Sequence, residues 1–360
     1  MRRVAFALLV ALAAAGCADV AADEDLDAEA AGGEDTAAES ALTDRHAVGS
    51  LAAASGETRA VASHVAAALG PALESGDHVV VLRTLTYDGV ASYVVAHAES
   101  FRTSVVAKAA LDRASSAGSA SSGGALPSRL AALRADDATL RSLQLPPRTG
   151  AAGGQRVAVT IDMCQSSKRW EKELFDYLVA TGDALGAPIP VGIAMTGGWA
   201  KAHPTELAQL LEWQSKKKLD VVWINHSFTH PLHCAGSRCA FMTAPQVDMK
   251  REVLDNERLL LSQGAVPSAL FRFPGLTHDR RRRGELAELS LAALDADAWL
   301  AKGEPMHDGA VVLLHGNGNE PEGVRLFMRA VKAPAFASAI ADRKSAFVSP
   351  LFALGPTAAK

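Results

Sequence analysis

Val157-Ala158-Val159-Thr160-Ile161, followed at once by Asp162-Met163-Cys164, is the stretch on which the fold turns. A compact β-branched run of this length is a buried strand rather than a helical turn. It ends in an acid and a thiol. Downstream the pattern repeats: Val191–Met195, Asp220–Ile224, Ala269–Phe273 and Gly309–Leu314 read as strands. Between and after them, Trp170–Leu185, Pro204–Gln214, Val247–Ser262, Gly284–Leu294 and Pro321–Val331 carry helical spacing. Strands alternating with helices imply a parallel sheet, open or closed into a barrel. In such folds the chemistry sits at the C-terminal ends of the strands.

Those ends hold a coherent set of groups. Asp162 and Cys164 follow the first strand, and Asn225-His226-Ser227-Phe228-Thr229-His230 follows another. Arg272 ends a third. Asp295 and Asp297 precede Trp299, and His315 closes the last strand, ahead of Asn317 and Asn319. An acid, two histidines, an arginine, a further acid and a third histidine at strand ends are what catalytic groups converging on one face would look like. The spacing of His226 and His230 alone says little. With 11 histidines in the chain, a chance pair four apart is expected in about a third of such sequences. On one helical turn the two imidazoles would share a side and suit a metal. Asn225 stands beside them as a group that could orient a ligand or contact substrate. Thr196-Gly197-Gly198 leads into Trp199, which reads either as a stacking platform for a sugar ring or as a core residue after a turn.

In this order the residues resemble the polysaccharide deacetylases of the NodB-homology type, the carbohydrate esterase family 4-like domains. The resemblance rests on Asp162, the segment His226 to His230, Arg272 to Gly275, Asp297 with Trp299, and Leu313 to His315. It implies a distorted (β/α)7-type barrel over residues 156–360. It further implies hydrolysis of acetyl groups, chiefly N-acetyl, from a cell-envelope or extracellular glycan, a reaction at a non-peptide carbon–nitrogen bond. In that reading Asp162 is the base and His315 the acid. Arg272 aims Asp162, and Asp297 orients His315 or raises its pKa. A divalent metal, zinc by preference, sits on His226 and His230, while Trp299 and Leu313 receive the acetyl methyl. One position departs: the family has two consecutive acids after the first strand, and here Met163 follows Asp162. Thioether is a poor zinc ligand. Either Cys164 supplies a thiolate as third ligand, or Asp162 itself binds metal, or the site holds none. The alternative reading is therefore a catalytically inactive domain of this type that binds a glycan or a partner.

The rest of the chain frames this region. Arg2-Arg3, the short apolar run Val4–Ala13 and Ala14-Ala15-Gly16-Cys17 resemble a bacterial lipoprotein signal, which implies export, cleavage before Cys17 and attachment to the cell envelope by lipid on Cys17. Residues 18–45, rich in Ala, Asp, Glu and Gly, read as an acidic disordered tether. Residues 46–150 read as a small α+β module, with a helix at Val61–Leu73, a hairpin turning at Tyr87-Asp88-Gly89, a flexible Ser115–Gly124 stretch, a helix over Leu126–Leu143 and a break at Pro146-Pro147. Export makes a Cys234–Cys239 disulfide feasible. A net charge of -4, with 36 basic against 40 acidic residues, gives no footprint for nucleic acid. The one basic run, Arg280–Arg283, reads as a solvated helix face.

Overall fold

The computed structural model describes residues 42–54, 56–60, 78–115, 125–136, 139–145, 154–235 and 238–355. The leader, the tether through residue 41, the helix expected at Val61–Leu73, most of the Ser/Gly stretch and Pro146-Pro147 lie outside the described residues.

The N-terminal part is an antiparallel sheet of β1 (Val48–Ala53), β2 (Thr58–Ala60), β3 (His78–Tyr87), β4 (Val90–His97) and β5 (Thr103–Ala107), followed by α1 (Lys108–Ser115) and α2 (Ala125–Asp136). The hairpin read from the sequence is β3–β4. Its two loop residues, Asp88 and Gly89, have φ of 47 and 78, the left-handed pair that a tight hairpin turn requires and that Asp-Gly tolerates. The expected helix over Leu126–Leu143 is shorter. It stops at Asp136, and Leu140 and Ser142 instead form bridges to Leu294 and Ala310. Those bridges join the segment to the second half of the chain.

That half is built on β6 (Arg156–Met163), α3 (Lys172–Leu185), β7 (Ile189–Met195), α4 (Gly197–Ala202), α5 (Pro204–Ser215) and β8 (Leu219–Asn225). A small hairpin, β9 (His233–Ala235) and β10 (Arg238–Ala240), leads to α6 (Met249–Ser262), β11 (Pro267–Phe271), α7 (Arg280–Glu288), β12 (Ala292–Ala293) and β13 (Ala298–Trp299). Then come β14 (Val311–His315), α8 (Pro321–Val331), α9 (Pro334–Ala341) and β15 (Ala346–Phe347). Among the described residues the main sheet runs β12-β11-β8-β7-β6-β14-β13, with β15 beside β6, and every pair is parallel. This is a distorted (β/α) barrel. Its order ends at β12 and β13 instead of closing, and the Leu140–Ser142 segment bridges to the residues flanking that opening. The helix expected at Gly284–Leu294 begins earlier. Asp279 caps it by accepting from the Arg282 amide at 2.8 Å, and Ala292–Ala293 is strand.

Side-chain alternation splits β6 into two rows. Val157, Val159, Ile161 and Met163 pack outward with Phe175 and Leu178 of α3 and Phe327 of α8. Ala158 belongs to the inner core with Ala194, Ile224 and Val311, and Thr160 and Asp162 follow it at the same parity. The N-terminal part shares that inner core through Val80 and Leu82 of β3, Phe101 of the β4–β5 connection and Leu140 of the bridging segment. It is also held by a buried ion pair in which Arg83 Nε and Nη2 donate to Glu257 of α6 at 2.5 and 2.7 Å. Removing one partner of such a pair strands a buried charge, at a cost of about 3–5 kcal/mol.

Candidate metal centre

The histidine segment leaves β8 as a loop, which corrects the single helical turn expected from its spacing. Ser227 and His230 have φ of 67 and 47, outside helical geometry. The loop is fastened to α6 and to itself. The Glu252 carboxylate accepts from the Phe228 and Thr229 amides at 2.9 and 2.8 Å and from the Thr229 hydroxyl at 2.7 Å. Ser227 Oγ accepts from the His230 amide at 3.1 Å. Asn225, fully buried, donates to Val253 O, and its oxygen accepts from the Ser227 amide and from Asn256. Asn225 therefore shapes the loop and is not a substrate contact.

His226 Nδ1 lies 2.8 Å from the Arg272 carbonyl. A carbonyl only accepts, so Nδ1 carries a proton there, and Nε2 is the nitrogen turned toward Cys164. That Nε2 lies 3.4 Å from Cys164 Sγ. Donor atoms of Cys164, His226 and His230 all fall within 4.8 Å of one another. Two ligands on one tetrahedral zinc stand about 3.4–3.6 Å apart, so the set needs little movement to close on an ion. Burial alone would raise the Cys164 pKa. The charges of His230 and His226, and hydrogen bonds to both, outweigh it and bring the thiol well below its ordinary value. Thiolate with two imidazoles fits zinc. Met163 faces away, its sulfur against Gly316 and its neighbours Ile161 and Phe175. Of the three possibilities left open by the sequence, the geometry favours Cys164 beside the two histidines.

Asp162 lies next to this set, with Oδ2 3.8 Å from His226 Nε2. Arg272 Nη1 donates to both of its oxygens, at 3.0 and 3.3 Å. Arg272 is itself immobilised, for its Nε donates to Leu294 O at 2.7 Å and its Nη2 to Thr160 Oγ1 at 2.9 Å. Register sets His315 opposite Asp162 on the neighbouring strand. Burial would lower the His315 pKa. Hydrogen bonds to Cys164 and Glu320, with the negative charges of Cys164 and Asp162, raise it well above the ordinary value.

The partner of His315 is not Asp297. Asp297 precedes β13, accepts from the Val311 amide at 2.8 Å at the start of β14, and faces His307 at 3.3 Å. It belongs to the far end of the strand from His315. Glu320 takes that place: its Oε2 accepts from His315 Nδ1 at 3.1 Å and from Trp299 Nε1 at 2.8 Å. Sequence reading passed over Glu320, although an acid five residues after His315 was visible. Leu313 pairs in register with Trp299 and is buried. Trp199 is fully buried and stacks on His203 at 4.6 Å, which removes it as a sugar platform. Asn317 donates to Cys164 O at 2.9 Å, steadying the thiol's backbone. In the basic run, Arg282 is buried and donates to Ala244 O and Glu285, so only its neighbours form a solvated face. Cys234 and Cys239 are bonded across β9–β10.

Beside His315 opens a cleft of about 320 Å³ lined by Phe241, Gly275, Trp299, Lys302, Asn319 and Glu320, among others. A larger hollow of about 540 Å³ lies elsewhere, against Arg102, Val221 and Ser268, and contains none of these groups.

No family model matches the chain. In structure it is similar to a family 4 carbohydrate esterase from Streptomyces lividans solved with acetate (18% identity, TM-score 0.40, covering 58% of this chain and 99% of that one). It is similar to a family 4 carbohydrate esterase from Bacillus subtilis (16%, TM-score 0.40, 64% and 88%). A third likeness is to a pseudoenzyme of that family from Bacillus anthracis (14%, TM-score 0.36, 59% and 69%). With TM-scores no higher than 0.40 in these three, the reading of the site rests on its own geometry.

Proposed function

We propose that the chain is a metal-dependent hydrolase that removes acetyl groups, N-acetyl in the first place, from a glycan. One observation carries this reading. A Cys164–His226–His230 donor set lies beside both a carboxylate fixed by an arginine and a histidine fixed by a second carboxylate. When bound there, a zinc-class ion would lower the pKa of a water and polarise an acyl carbonyl. The chain's own groups do the rest. Asp162, aimed by Arg272, takes the proton of the attacking water. His315, whose Nδ1 is held by Glu320, presents Nε2 and protonates the departing amine nitrogen as the carbon–nitrogen bond breaks. Acetate and a free amine result. Leu313 and Trp299 supply an apolar corner suited to a methyl group. The order of the matching residues along the chain supports a glycan substrate.

Acetate release by zinc-loaded protein tests the reading on two substrates, an N-acetylglucosamine oligomer and an O-acetylated glycan. Release from the first above the metal-free rate is the expected result. A fully loaded protein inert on both would sink the hydrolase and favour the inactive glycan-binding alternative. We further propose that the protein is exported and lipid-anchored at Cys17. The leader pattern supports this, and the Cys234–Cys239 bond fits an oxidising compartment. Loss of membrane association in Cys17→Ser is the expected outcome, and unchanged partitioning would refute it.

A further inference from the structure

Phe241 immediately follows the β9–β10 hairpin, which pairs only with itself among the described residues and is closed by the Cys234–Cys239 bond. The next residue, Met242, is fully buried with Phe271 and Phe273. Phe241 is thus held from both sides of the chain. Its ring meets the His230 ring edge-on, with centroids 5.8 Å apart. On its other side it presses on Gly275: a Cβ there would lie 2.5 Å from Phe241 Cε2. Gly275 also has φ of 60, so both its backbone and its surroundings demand glycine. An aromatic ring fastened this firmly would ordinarily complete a core. Phe241 is largely buried, at 8% exposure, but the part of its ring left open walls the cleft that holds His315, Glu320 and Trp299. Asn319, Lys302 and Glu320 supply polar and charged groups on the same lining.

An aromatic wall with a few hydrogen-bonding groups suits a ring with apolar C–H faces and hydroxyls at its edge. Resting on the deacetylase reading above, we propose that Phe241 is a specificity-determining residue. It carries the pyranose ring next to the scissile acetamide, and Gly275 is glycine so that the ring can stand there. Phe241 acts through binding and transfers no proton.

The test is calorimetric titration of zinc-loaded protein with an N-acetylglucosamine oligomer, in an Asp162→Asn background so that the oligomer is not consumed. Phe241→Ala should weaken binding by about tenfold, and Phe241→Tyr should return it to within about twofold. Gly275→Ala, which leaves Phe241 in place but displaces its ring, should weaken binding in the same sense. In the otherwise native protein, Phe241→Ala should raise KM more than it lowers kcat. Metal content of each variant, measured by mass spectrometry, separates loss of the sugar contact from loss of His230. Unchanged affinity in Phe241→Ala, or no oligomer binding by the parent, overturns the proposal. Failure of the hydrolase reading looks different: no acetate release, with oligomer binding still dependent on Phe241.

Discussion

The two faces of β6 are made from consecutive residues and do opposite things. The outward row of Val157, Val159, Ile161 and Met163 is wholly apolar and packs under α3 and α8. The inward row runs Ala158, Thr160, Asp162, with Cys164 just beyond, and becomes more polar toward the C-terminal end. Thr160 supports Arg272, Arg272 holds Asp162, and Cys164 faces the histidines. Strand β14 repeats the division. Val312 and Leu314 pack outward, while His315 faces the site. The lesson is that the candidate site draws on every second residue of these strands, so a substitution one position along changes surroundings altogether.

The largest effect that can test this contrast is at Asp162. Asp162→Asn should lower turnover by about 100- to 10,000-fold while the metal content holds. Equal loss of metal would assign Asp162 to the ion and not to the proton. Next is Cys164→Ser. It should weaken metal binding by more than the about 10- to 100-fold typical of losing an outer hydrogen-bond partner, as read by chelator competition. The cobalt-substituted protein should lose its thiolate charge-transfer absorption in the near ultraviolet. Adding Met163→Asp to that variant should not restore binding, because residue 163 points into the outer core; recovery of the ion would break the comparison. On the outward row, Met163→Ala should cost about 2–5 kcal/mol of stability in denaturant titration and leave the rate per folded molecule intact. A rate loss at constant stability would contradict the division.

The smallest effect is electrostatic. Burial alone would raise the Glu320 pKa, but its hydrogen bond to and attraction by His315, with the Trp299 bond, bring it below its ordinary 4.5. A depressed acid contributes stability that is present above the unfolded value and lost as pH falls through the folded one. The melting temperature of the native protein should therefore fall as pH drops below 4.5, and Glu320→Gln should flatten that slope. An identical slope in both proteins would mean that Glu320 gains nothing from His315.

Much of this architecture was legible beforehand because it is local. The β-branched run at Val157–Ile161, the Asp88-Gly89 turn and the strand–helix alternation each follow from backbone preference within a few residues. Asp162, His226, His230, Arg272 and His315 could be singled out because strand ends are recognisable, and the parallel order does bring them together on one face. Asp297 misled because Ala298–Trp299 is a strand of two residues, too short to show a period, so the end of the strand at which the acid stood was not visible. For Trp199 the sequence left a sugar platform and a core residue both open, because burial by α4 and its neighbours, which decides for the core, is a non-local fact. Glu320 and Phe241 were missed for the converse reason. Neither lies in a patterned element, and each acquires its place from a loop packed on a distant strand.

By itself, then, the amino-acid sequence determined the parallel α/β layout, the end of the barrel at which the candidate site lies and most of the groups gathered there. Tertiary structure alone decided that Met163 turns outward and Cys164 inward, that Glu320 rather than Asp297 meets His315, and that the two histidines share a loop and not a helical turn. The physical reason is the reach of each constraint. Periodicity and turn chemistry act along the chain, whereas side-chain direction at a strand end depends on register with neighbouring strands and on the elements that pack over it.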